Sequence, residues 1–169
     1  MPLQLSGTSG VLDNSGAFIA GTAVASTSGA SIDFTSLPSW VKRITLMFDG
    51  VSQTTGTSPY LLIQIGTSGG IVATGYVGVC STNGSSNALS TTGFGLRGPS
   101  AGSAVQTGVM SIVSFTGNTW LATGVSGDTT YTQSGYTAGK LALGGTLDRV
   151  RIVANGGAFN GGSINILYE

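Results

Sequence analysis

The groups that could do acid–base chemistry near neutral pH are few. The carboxylates are Asp13, Asp33, Asp49, Asp128, Asp148 and Glu169, and there is no histidine. Cleaving a glycosidic bond takes two carboxyls held at a fixed separation. Each acid here stands singly beside turn or strand-end residues, with an ordinary role as turn former, cap or ion-pair partner. Cys80 is the lone cysteine. A nucleophilic thiolate needs a base to activate it, and without histidine none is at hand. One cysteine makes neither an internal disulfide nor a zinc site, so Cys80 reads as a small buried apolar residue. No DxDxDG calcium loop occurs. Gly144-Gly145 does not join a strand to a helix, as a phosphate cradle would require. The sequence therefore reads as non-enzymatic, with no metal and no cofactor.

Binding chemistry is better represented. A sugar ring stacks on an aromatic face while Asn, Ser and Thr groups meet its hydroxyls. Tyr131 and Tyr136 lie in the polar, turn-rich DTTYTQSGYTAG, and Tyr60 and Phe94 are further candidates on connecting segments. Trp120 falls inside a probable strand pattern and reads as core. The cations Lys42, Arg43, Arg149 and Arg151 need partners, because unpaired charges are costly to bury. Asp33 and Asp49 are the nearby acids for Lys42 and Arg43. Arg149 and Arg151 share a face by alternation, so they are expected at a rim or a subunit interface.

Charge is scarce as a whole. Six basic and six acidic residues make up 7% of the chain and cancel, where soluble domains carry about 25% charged residues. A neutral, weakly charged surface tends to associate. Much of the surface is therefore expected to be covered by copies of the chain or by partners. With no basic run, nucleic acid is not an expected partner. No apolar stretch approaches the roughly 20 residues of a membrane helix, and the N-terminal MPLQLS has no signal-peptide pattern.

These side chains must be positioned by strands. Gly or Ser/Thr pairs interrupt every helix-length window, while apolar alternation recurs throughout. KRITLMFDG places Ile44, Leu46 and Phe48 on one face. YLLIQI is an apolar run of strand length. TGVMSIVSF and TWLATGV flank Thr116-Gly117-Asn118, a tight-hairpin signal. LDRVRIVA and SINILY complete the set, and Trp40 in Pro38-Ser39-Trp40 is expected to anchor the strand that follows. Short strands with regular Gly/Asn punctuation predict an all-β, antiparallel, jelly-roll-like sandwich. Residues 1–21 read as a docking arm or first strand, residues 22–169 as one sandwich domain, and residues 82–106 as a long polar loop.

The segment from Ile32 to Ser52, IDFTSLPSWVKRITLMFDGVS, and the ending Gly161 to Glu169, GGSINILYE, resemble bacteriophage tail-fibre and related virion proteins. The two stretches bracket most of the chain. The resemblance implies an all-β virion module, homotrimeric, that displays loops to a host cell-surface glycan or caps another virion protein. It would dock on other virion proteins through the N-terminal arm. The middle, about 53–146, would be its variable part. In long relatives the unit ends a fibre. In this chain, tail-fibre or tail-tip attachment and head decoration are both open.

Overall fold

A computed structural model describes residues 18–54, 60–83, 87–97, 104–128, 130–155 and 157–169. Among them there are fourteen strands and no helix. The strands are β1 (Ile19–Ala20), β2 (Val24–Ala25), β3 (Ser31–Phe34), β4 (Arg43–Gln53), β5 (Tyr60–Thr67), β6 (Gly70–Ile71) and β7 (Val77–Thr82). Then follow β8 (Ala88–Ser90), β9 (Phe94–Arg97), β10 (Gln106–Thr116), β11 (Thr119–Asp128), β12 (Gln133–Ala142), β13 (Arg149–Asn155) and β14 (Phe159–Tyr168). They form two sheets with antiparallel pairing. The large sheet runs β1-β14-β4-β10-β11-β12-β7-β8, with β2 also on β14; the small one runs β3-β13-β5-β6, with β9 also on β5.

The expected alternation of β4 holds: Ile44, Leu46 and Phe48 point inward and are buried. They pack with Met110, Ile112, Trp120, Leu141, Ile164 and Ile166 of the large sheet against Ile63, Ile65, Val150 and Ile152 of the small one. Burying each such side chain is worth roughly 1.5–3 kcal/mol, and this single core holds the two sheets together. Residues 61–66 of β5 are buried on both faces, which is why YLLIQI is a continuous apolar run rather than an alternating one. Thr116-Gly117-Asn118 does join β10 to β11, with Gly117 at φ 53°. Trp40 is partly buried, its ring 6.0 Å from that of Tyr168.

The long loop expected over residues 82–106 is not wholly a loop. It holds β8 and β9, and β9 pairs with β5 from Tyr60↔Arg97 to Ile63↔Phe94. Phe94 and Leu96 fill the core from this short strand, so burial prevails over a polar, glycine-rich local sequence. Of residues 1–21, Ile19 and Ala20 form β1 on the edge of β14; residues 1–17 of the expected arm lie outside the described residues.

Candidate ligand-binding surface

The β11–β12 hairpin carries a set of exposed polar and aromatic groups. Asp128 ends β11 with its side chain turned inward, and its Oδ1 accepts the Tyr131 backbone N–H at 2.9 Å. This Asx-type bond shapes the turn, in which Thr132 takes a φ of 54°. Beside it is a shallow depression of about 620 Å³ lined by Thr107, Gly127, Asp128, Thr132, Gln133 and Ser134. Tyr131 and Tyr136 are both exposed on this hairpin, and the Tyr136 hydroxyl lies 3.0 Å from Ser134 Oγ. The arrangement offers ring faces next to hydroxyl and amide groups, a chemistry suited to polyhydroxylated ligands.

The other two aromatic candidates are elsewhere. Tyr60 is not in a loop; it opens β5 in the small sheet, half-buried between Asn155 and Arg97. Phe94 is 1% exposed and meets Tyr76 edge-on at 4.9 Å. A ring packed in the core cannot stack on a ligand, so Phe94 leaves the candidate set. Trp120 is core, as its position in a strand implied.

Three of the four candidate interface cations find partners within the chain. Arg151 grips Asp33 with two 2.7 Å bonds across β13 and β3, where the two residues are direct register partners. Chiefly through this hydrogen bonding, and against partial desolvation, the Asp33 carboxyl is held below its usual range. Arg149 bonds its neighbour Asp148 through Nε at 2.9 Å and reaches the Ser68 carbonyl at 3.2 Å. Arg43 pairs with Glu169. The expected Asp33 and Asp49 pairing with Lys42 and Arg43 is thus replaced. The sheet order puts β14 beside β4, which brings Glu169 to Arg43, while Asp33 faces β13. Lys42 is exposed.

Two features escaped sequence reasoning. One is a set of inward polar groups at one end of the large sheet: Gln53, Gln106 and Asp128 are buried, and Gln53, Gln106 Oε1 and Asp128 Oδ2 lack hydrogen-bond partners among the described residues. The other is the outward face of the same sheet, where Val109, Val113, Val125 and Leu121 are exposed. Its signal is present in TGVMSIVSF, which is apolar at both parities of the alternation. Among the described residues no group of three or more His, Cys, Asp or Glu side chains could hold a metal ion.

Fold and surface together define an all-β, two-sheet sandwich with an exposed tyrosine-bearing hairpin. No protein-family model, curated protein or solved structure matches the chain.

Proposed function

We propose that this chain is a bacteriophage virion structural protein, a non-enzymatic tail-fibre or tail-tip module that contributes to binding a host-surface glycan as a homo-oligomer. The observation that carries the binding role is the pair of exposed tyrosines on the β11–β12 hairpin beside the depression lined by Asp128, Gln133 and Ser134. The virion setting draws its support from the two end motifs. Purified protein is expected to compete with phage adsorption to susceptible cells. The double variant Tyr131→Ala/Tyr136→Ala is expected to compete at least tenfold less well, at about 1.4 kcal/mol per tenfold, while keeping its melting temperature. Saturating protein that leaves adsorption unchanged would count against receptor binding. A second reading, a capsid-decorating or purely structural tail subunit, is favoured by the broad apolar outer face of the large sheet. Imaging of the assembled particle, with the chain located on head or tail, decides between the two.

A further inference from the structure

The two sheets present opposite kinds of outer surface. On the small sheet the outward groups of β3 and β13 are mostly charged or polar, Ser31, Asp33, Arg149 and Arg151 with Val153 among them, while Leu62 and Gln64 of β5 are buried. On the large sheet the outward positions fall into registered rows. One apolar row runs Met47–Val109–Val125 across β4, β10 and β11. Another runs Val113–Leu121–Lys140–Val77 across β10, β11, β12 and β7. Val125 is 54% exposed and Leu89, on the edge strand β8, is 81% exposed. The charged groups of this face are Arg43, paired with Glu169, the exposed Asp49, and Lys140, which stands between Leu121 and Val77 in the second row.

The extent of the face decides what can cover it. The five adjacent long strands β14, β4, β10, β11 and β12 have ten or eleven residues each. At about 4.8 Å between strands and about 3.3 Å per residue they span about 800 Å². The face is mixed, with the polar row Thr45–Ser111–Thr123 lying between the two apolar ones; each partner in a standard interface contributes about 800 Å², and only a little over half of such an interface is apolar. A pleated, β-branched surface is matched in shape by another of its kind, packed about 10 Å away. The face also carries a projection and a recess. Phe115, 69% exposed, projects at the end of β10, where the pairing with β11 shifts register. An apolar groove of about 500 Å³ lies between β7 and β8, lined by Tyr76, Val77, Val79, Leu89 and Ala138.

We infer that the outward face of the large sheet is where copies of this chain meet, with Phe115 of one copy seated in the Val77–Val79–Leu89 groove of the next. Near-zero net charge removes the repulsion that would hold identical faces apart. The paired charges on β3 and β13 of the small sheet are left to solvent. This inference stands on the face itself and not on the virion reading; a free oligomer would carry it equally.

Light scattering on the full chain at micromolar concentration tests it. The expected mass is a multiple of the single-chain mass. Val109→Lys/Val125→Lys places two cations in the middle of the face and is expected to give the monomer, with an unchanged β circular-dichroism spectrum because both side chains are exposed in one copy. Phe115→Ala is expected to raise the dissociation constant at least tenfold. Ser31→Lys, on the outer side of the small sheet, is expected to leave the mass unchanged. A wild-type monomer overturns the inference. So does an oligomer that survives Val109→Lys/Val125→Lys, which would place the contact elsewhere. A wild-type monomer that binds neutral phosphatidylcholine vesicles through this face would assign it to lipid instead.

Discussion

At the scale of single residues, the buried phenol of Tyr76 shows how one polar group ties irregular structure to the core. Its hydroxyl donates to the Val72 carbonyl at 2.8 Å and accepts the Ile65 N–H at 2.8 Å. It thereby satisfies two backbone groups where β5 and β6 diverge. Burial pushes its pKa up to about 12 from 10, because the phenolate would lose its hydration. A folded value above the unfolded one means that the fold favours the neutral form. That contribution is fully present below pH 10 and is lost as pH rises through about 12. Tyr76→Phe leaves the Ile65 N–H without its partner and is expected to cost about 1–3 kcal/mol at pH 7. Urea midpoints between pH 8 and pH 12 check both parts: the wild type should lose stability steeply above pH 10, and the variant less so. Parallel curves would remove Tyr76 from the alkaline transition. Nothing in the sequence marks Tyr76, although Val72 and Ile65 are only four and eleven residues away, because its bonds go to backbone groups, which carry no residue-type signal. The exposed turn position of Tyr131 was legible because turn chemistry is local, whereas Tyr136 lies within β12, a strand that the polar, turn-rich sequence hid. Phe94 was misleading for the same reason: its neighbours in sequence are polar, and its neighbours in space are not.

At the scale of elements, strands were legible where alternation ran for five residues or more, as in β4, β10 and β13. Short strands such as β8 and β9 were not, since three or four residues carry too little periodicity to stand out among Gly and Ser. Pairing irregularities were also hidden. The β4–β14 ladder shifts register at Gly161 and again before Ser163, opposite Gly50, which has a φ of 62°. Gly162 there has a φ of 88°, and a Cβ on it would stand 2.4 Å from Gly50 carbonyl atoms. Gly117 shares the left-handed conformation, with a φ of 53°, but a Cβ there meets only open space. The two positions therefore separate backbone strain from collision. Gly117→Ala is expected to cost about 1–2 kcal/mol, the strain alone. Gly162→Ala adds backbone contacts that cannot relax without breaking the ladder, for a total of about 3–4 kcal/mol. Chemical denaturation of the two variants side by side measures the difference, and equal losses would show that β14 yields at the bulge.

At the scale of the whole molecule, the chain order and the sheet order diverge. β14, near the C-terminus, lies between β4 and β1, with Ile19 and Tyr168 as direct register partners. β13 lies between β3 and β5. Sequence patterns report which segments are strands but not which distant segment each will join, so this closure was not legible. It makes the fold slow to find. Ile44 and Tyr168 pair across more than a hundred residues, as do Ile32 and Ile152, and loop closure must precede the contacts that reward it. Joining Glu169 to Met1 and opening the chain between Gly144 and Gly145 tests this directly. The opening lies between β12 and β13, which belong to different sheets, so no hairpin is lost. Both long-range pairings then fall to fewer than fifty residues apart, while the β10–β11–β12 meander keeps its local order. The permuted chain is expected to recover the same strand content, because Ile19 and Tyr168 already pair across β1 and β14. It is also expected to refold several-fold faster by stopped-flow fluorescence of Trp40 and Trp120. Refolding at the unchanged rate would place the barrier in the local meander. A permuted chain that fails to fold would show that the strand pairing between β1 and β14 does not bring the ends together.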